Sequence, residues 1–552
     1  MSPPRRMIEP VSDAVRDPRQ DRPWRALSAL VLGFFMIMID TTIVVIANPT
    51  IQTKLDADTS AVIWVTSAYL LTYSVPLLVT GRLGDRFGPR RIYLIGMVLF
   101  TLASAACGLA ATLPGSAIVN LIIARAVQGL GAALMTPQSM AVITRIFPQA
   151  RRGAAMGLWG ATAGVATLVG PILGGVLVDG LGWEWIFFIN VPVGIVGFIL
   201  AMVFVPVLET HRHRFDWIGV VISCAGMFLL VFGLQEGNTY NWNGWVWSAI
   251  GGGIVVLGGF VVWQRFNRGE PLVPLRIFRD RNFSLANGVM FSVGFATTAA
   301  FIPLVYFLQA VLGMTPTQSA LMATPSALFT LIGAPIAGRL ADRFHPALLA
   351  VPGLIFTSAG IWLYVALISP DVAWGWLLIP SGVMGLGFGF LFGPVASTAT
   401  RNLPLDLAGA GSGVFNTVRQ VGAVIGASGL AALMTNRIAA NLTPLLPPGT
   451  DSTAGAQGTV LPEPLHAAFS SAMQETMILP ASIVVIGIVC AAFFVRPGFM
   501  TPVGSAARKR DDLLRAGEGE GDSAPAVPVA VDDVAHPLQA DLSATGPESD
   551  RA

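Results

Sequence analysis

The chain has 552 residues, 54% of them hydrophobic and only 12% charged, with a formal net charge of +2. Soluble domains carry about 25% charged residues, so the composition excludes an ordinary soluble globule and describes an integral membrane protein. Its three cysteines, Cys107, Cys224 and Cys490, all lie in apolar runs, which argues against a disulfide framework or a zinc site.

Residues 1–24 are polar and Arg-rich, and the apolar run after them lacks a small-residue cleavage pattern. This N-terminal tail is expected to stay cytoplasmic, with the first span as its own insertion signal. Crossing about 30 Å of hydrocarbon takes roughly 18 to 25 mostly apolar residues. Fourteen runs meet that length: 25–49, 60–80, 91–112, 117–142, 153–178, 185–208, 216–235, 245–264, 284–312, 318–340, 346–369, 373–397, 408–434 and 476–496. Between the last two, 435–475 reads as an outer loop rich in Pro, Gly, Thr and Ala. Residues 497–552 read as a disordered cytoplasmic tail.

The cations test this count. The two tails and the loops after even-numbered spans hold 29 of the 33 Lys and Arg residues. Odd-numbered loops hold only Lys54 and Arg437, and two arginines, Arg125 and Arg419, fall inside spans. Cytoplasmic loops collect Lys and Arg, so fourteen spans with both termini inside satisfy the pattern. The expected location is a cell membrane, crossed many times.

Gly81-Arg82-Leu83-Gly84-Asp85-Arg86-Phe87 recurs as Gly338-Arg339-Leu340-Ala341-Asp342-Arg343-Phe344, an offset of 257. Gly129 and Gly131 map to Gly385 and Gly387, and Gly153 and Gly157 to Gly409 and Gly413, at an offset of 256. The register holds if spans 7 and 8 are set aside. The predicted fold is all-α: two pseudo-symmetric six-helix bundles, 25–208 and 283–496, with two inserted helices and their flanking loops at 209–282. Duplicated helical halves with a site between them are typical of secondary transporters.

Three charges break the symmetry. At the same offset Asp40 maps to Ala296, Arg125 to Ser381 and Arg419 back to Ala163. A charge in the bilayer costs at least about 2.5–3.5 kcal/mol, so each should be paired or line a cavity. Asp40 and Arg125 lie roughly 15 and 12 Å below the outer surface at 1.5 Å per residue, which makes a pair between them feasible. Asp40 is the best candidate for proton handling, while Arg125 and Arg419 are open to coupling or structural roles. Phe34, Phe35, Tyr69, Trp159 and Phe415 could line a cavity or face neighbouring helices, and Trp242, Trp245 and Trp247 suit a membrane interface.

The Gly81–Arg91 stretch resembles the loop 2–3 signature of the major facilitator superfamily, and Arg125-Ala126-Val127-Gln128-Gly129-Leu130-Gly131 its span 4 signature. Gly170, Pro171, Gly174 and Gly175 in span 5 resemble the antiporter signature. Asp40-Thr41-Thr42, Asn190-Val191-Pro192 and Tyr306-Phe307-Leu308-Gln309 are similar to patterns of the fourteen-span drug/proton antiporters (DHA2-type). Two departures stand out: Trp183-Glu184-Trp185, where that branch has Trp-Arg-Trp, and Val45-Ile46-Ala47-Asn48-Pro49 at the end of span 1.

The resemblance implies the facilitator fold and proton-coupled multidrug efflux of amphiphilic compounds across the plasma membrane. A dedicated exporter of an endogenous antibiotic or siderophore is the alternative. Asp40, Arg125 and Arg419 are the expected coupling and substrate residues. Gly81, Asp85, Arg86, Arg90, Asp342 and Arg343 are expected to form a conformational latch through Arg–carboxylate bonds, and the span 5 glycines a tight packing seam. The expected partners are a small-molecule substrate, protons and lipid. No cofactor, metal or nucleic acid is expected, and an envelope adaptor is left open. Lys54 and Lys509, the only lysines, sit in no P-loop. No His-Glu-x-x-His or Gly-x-Ser-x-Gly motif supports an enzyme, and neither tail supplies a sensor's signalling domain.

Overall fold

A computed structural model describes residues 22–495, apart from 58, 149–150, 209, 211–215, 238, 268–269 and 447–460. The expected tails, apart from the last residues of the N-terminal one, lie outside the described residues. Among the described residues the regular structure is all helical.

The first half contains α1 (Pro23–Lys54), α2 (Thr59–Ser74), α3 (Leu77–Phe87), α4 (Pro89–Gly108), α5 (Ala117–Ile146), α6 (Arg152–Gly180), α7 (Trp185–Phe188) and α8 (Asn190–Phe204). The inserted pair is α9 (Trp217–Gln235) and α10 (Gly244–Phe266). The second half contains α11 (Arg281–Ala310), α12 (Pro316–Leu321), α13 (Thr324–Ala341), α14 (Ala347–Leu367), α15 (Leu378–Arg401), α16 (Ala408–Leu442) and α17 (His466–Ala492).

Among the described residues, thirteen helical segments are long and apolar enough to cross a membrane. The remaining expected span is α2 and α3 in series, interrupted before Pro76, because proline has no N–H for the helix ladder. The chain is therefore a multi-pass membrane protein of the predicted class. Its outer surface agrees, with Leu102, Ile123, Val176 and Val255 exposed where lipid would cover them.

The segment expected as an outer loop, 435–475, is helical at both ends. α16 runs on to Leu442 and α17 starts at His466. These extensions are too polar for a hydropathy count but contain good helix formers, and Arg437 meets Glu475 at 3.1 Å across them.

In the first half α5 packs between α2 and α4, and α1 lies along α6 and α8. In the second, α15 packs between α13 and α14, and α11 lies along α16 and α17. The duplication extends to individual contacts. A Cβ added to Gly129 would lie 2.4 Å from the Tyr69 carbonyl oxygen, and one added to Gly385 would lie 2.4 Å from that of Ser326. Small residues permit this close approach where larger ones would part the helices. The halves meet chiefly where α6 packs on α13 and α15, and where α16 packs on α3 and α5.

The inserted helices pack on each other, and α9 leans on α2 and α16. Asp216 ties them together. Its carboxylate accepts from Gly219 N at 2.9 Å, Trp263 Nε1 at 3.0 Å and Gln264 Nε2 at 2.8 Å, and from Leu272 N. Burial raises this carboxyl, but the donors outweigh it and hold it below its ordinary value. Its contribution to stability should therefore be complete above about pH 4 and decline as pH falls through the lower folded value. Asp216→Ala should cost about 1–2 kcal/mol at neutral pH. In thermal melts the gap from the native protein should narrow in acid.

Candidate functional site

The centre of the first half is a closed polar cage. Asp40 on α1 and Arg125 on α5 are 0% and 1% exposed and meet at 2.6 Å between Oδ2 and Nη1. The expected pairing is therefore present. A charged pair inside a bundle must have its remaining polar atoms satisfied, and this one does so through neutral neighbours. Gln128 Nε2 donates to Asp40 Oδ1 at 2.8 Å, and Asn190 Nδ2 donates to the same oxygen at 3.0 Å. Arg125 Nη1 also donates to Gln128 Oε1 at 2.6 Å, and its Nε donates to the Val65 carbonyl at 3.2 Å. The guanidinium lies 4.1 Å from the Tyr69 ring centroid, so an aromatic face covers what the carboxylate does not.

Among the described residues the second half has no such cage. At the counterpart positions it places Ala296 for Asp40, Ser381 for Arg125, Met384 for Gln128 and Ser326 for Tyr69. Ser326, Ser381 and Met384 line a small, mostly apolar cavity with Tyr364. The scaffold is duplicated; the charge is not.

The repeated loops meet the opposite halves reciprocally. Asp85 on α3 accepts from the backbone N–H groups of Gly409 at 3.0 Å and Ala410 at 2.9 Å, at the N-terminus of α16. Asp342, just after α13, accepts from those of Gly153 at 2.9 Å and Ala154 at 3.3 Å, at the N-terminus of α6. A helix N-terminus offers free N–H groups and a favourable dipole to a carboxylate. Each aspartate also holds an arginine of its own half: Arg145 on Asp85 at 2.6 Å and Arg401 on Asp342 at 2.8 Å. The flanking glycines let the backbones close. A Cβ on Gly81 would lie 2.4 Å from the Gly409 carbonyl oxygen, and one on Gly338 would lie 2.5 Å from that of Gly153.

The expected latch arginines lie elsewhere. Arg86 stacks on Phe87, Arg90 donates to the Met202 carbonyl, and Arg343 is exposed. Sequence reasoning missed Arg145 and Arg401 because they had been counted only as topology-setting charge. Their spacing of 256, the register of the repeat, was the available signal. It likewise missed the roles of Gln128 and Asn190, although Gln128 stands three residues from Arg125 on the same helix face.

In span 5, Gly170 presses on Thr42 of α1, where a Cβ would lie 1.9 Å from Oγ1. Pro171 lies within α6, and Gly174 and Gly175 are buried. Arg419 is apart from the cage. It sits on α16 between Ser412 and Asn416, which reach α5, and Gly422 and Gly426, which pack on α11. Its Nη2 is buried without a hydrogen-bond partner among the described residues. Phe34 stacks on Trp159 at 4.2 Å, joining α1 to α6.

Comparison with known proteins agrees with this architecture. The model of the Major Facilitator Superfamily matches residues 30–427. The uncharacterized MFS-type transporter Rv1250 of Mycobacterium tuberculosis is 51% identical over 86% of this chain and 81% of its own length. The tetracenomycin C resistance and export protein of Streptomyces glaucescens is 33% identical over 76% of this chain and 77% of its own. The multidrug resistance protein Stp of M. tuberculosis is 34% identical over 76% and 77%. The solved proton:xylose symporter XylE shares the fold with a TM-score of 0.57 at 14% identity, covering 84% of this chain and 95% of XylE. The duplicated bundles, the reciprocal loops and these matches together establish that the chain belongs to the Major Facilitator Superfamily of transporters.

Proposed function

We propose that the protein exports amphiphilic drugs or antibiotics in exchange for protons, by alternating access. The observation that carries this reading is the Asp40–Arg125 pair, 0% and 1% exposed in the first half and uncopied in the second. A symmetric scaffold that keeps one expensive charge pair on one side has a use for it beyond folding. Relatives named for tetracenomycin C export and multidrug resistance support the direction and kind of cargo.

Asp40 takes a proton while the site faces outward, releasing Arg125 from its carboxylate partner, and gives it up when the site faces inward. A proton moving down about 100 mV supplies about 2.3 kcal/mol, a substrate gradient of roughly fiftyfold. The positive loops support an orientation with both termini and the reciprocal latch on the cytoplasmic side of the cell membrane. With Asp85 and Asp342 engaged, that side is closed. Arg419 offers its buried Nη2 to an oxygen of the substrate, and Gly170, packed on Thr42, keeps protons from leaking past α1. The bundles 25–208 and 283–496 rock about this centre, and 209–282 travels with them.

Full-length protein in liposomes with an imposed pH gradient, probed with ethidium, tests the reading. Accumulation should require the gradient and collapse with a protonophore; gradient-independent accumulation would overturn it. A dedicated exporter would use the same site, and the tetracenomycin relative favours that variant. A panel of compounds separates the two, because a dedicated exporter moves one chemical class alone.

A further inference from the structure

The hydrogen bonds around Asp40 take their direction from Ser104, and at Gln128 from Arg125 as well. Ser104 Oγ on α4 donates to the Phe187 carbonyl at 2.9 Å. A hydroxyl has one hydrogen and two lone pairs, so its remaining capacity is as an acceptor. Gln128 Nε2 and Asn190 Nδ2 fill it at 3.2 and 3.1 Å. Both amides are thereby oriented with their NH2 groups toward Ser104 and Asp40. A flipped amide would set its oxygen against the Ser104 oxygen and the Asp40 carboxylate.

Asp40 thus receives two amide donors on Oδ1 and the Arg125 guanidinium on Oδ2. Oδ1 is filled by its two amide donors, whereas Oδ2, with Arg125 alone, keeps a lone pair that can take a proton. Arg125 is anchored independently to the Val65 carbonyl and Gln128. Asn190 opens α8 directly after Ile189, whose backbone is itself helical, and Pro192 two residues on has no N–H to add to the ladder. The titratable groups around Asp40 are Arg125 from α5, Tyr69 from α2 and Cys107 from α4. From α6 the neighbour is Gly170, against Thr42.

We propose that Asn190 and Ser104 are positioning residues that set the proton affinity of Asp40, Asn190 as a donor that favours the carboxylate and Ser104 as the atom that fixes its orientation. This inference rests on the proton-exchange reading of the same site. Removing a donor from a carboxylate makes its protonation easier. Protonation weakens the Asn190 bond, which joins α1 to the start of α8.

The test is ethidium transport by full-length protein in liposomes as a function of outer pH. Asn190→Leu should move the half-maximal pH upward by about one unit, a tenfold change in proton affinity, as expected for one hydrogen bond to a charge. Ser104→Ala removes only a hydroxyl and should move it the same way by less, so the inference stays testable if Asn190→Leu folds poorly. A merely structural role would lower the amount of active protein without moving the midpoint, and that result would overturn the inference. A flat profile for the native protein would overturn the exchange reading itself. A sloping profile left in place by both variants would overturn this inference alone.

Discussion

Asp40→Asn is expected to reduce gradient-driven transport to the level of protein-free liposomes and to lower thermal stability sharply. The first effect follows from removing the one buried carboxylate of the cage. The second follows from what stays behind. Arg125, 1% exposed, would be left facing a neutral amide, and stranding one partner of a buried pair costs about 3–5 kcal/mol. The double substitution Asp40→Asn with Arg125→Gln removes both charges and should recover most of that stability without recovering transport. Transport assays and melting curves on the three proteins separate coupling from folding. An Asp40→Asn protein that still concentrates substrate against a gradient would exclude Asp40 as the coupling group.

Asp85→Ala and Asp342→Ala should each open the latch side of the molecule. Asp85 accepts two backbone N–H groups from α16 and one guanidinium, and hydrogen bonds to a charged group are worth about 1.5–3 kcal/mol each. Losing the interhalf share of these would shift the balance of conformations at least roughly tenfold. Gly81→Val should act the same way by sterics, because its Cβ would fall 2.4 Å from the Gly409 carbonyl oxygen. Distances between spin labels on the α3–α4 and α15–α16 connections should lengthen in all three variants, and transport should fall at least about tenfold. Unchanged distances would mean that the reciprocal aspartates do not hold this side closed.

Much of this architecture is legible in the sequence because a bilayer leaves the chain few options. Apolar runs gave the spans, the cations their alternation, and the repeated glycine loop their register. The same register isolated Asp40 and Arg125 as charges without counterparts. Hydropathy was blind to helix breaks such as that before Pro76, and to the polar turns that lengthen α16 and α17. Charge counting also misjudged which groups meet the repeated aspartates. It favoured arginines adjacent to Asp85 and Asp342 in sequence, whereas backbone N–H groups of the opposite half do the holding, with Arg145 and Arg401 brought in by the fold. Neutral amides such as Gln128 and Asn190 carry no unusual signal alone. Their meaning comes from the oxygen they share on Asp40.

The most direct test of the coupling role of Asp40 is proton release on substrate binding. Purified protein in a weakly buffered detergent solution is mixed with ethidium while a pH indicator is followed. If substrate and proton compete through the Asp40–Arg125 cage, ethidium should expel protons from the native protein near the midpoint of its pH profile. Asp40→Asn with Arg125→Gln should bind the dye and release none. Equal release from both proteins would contradict the account.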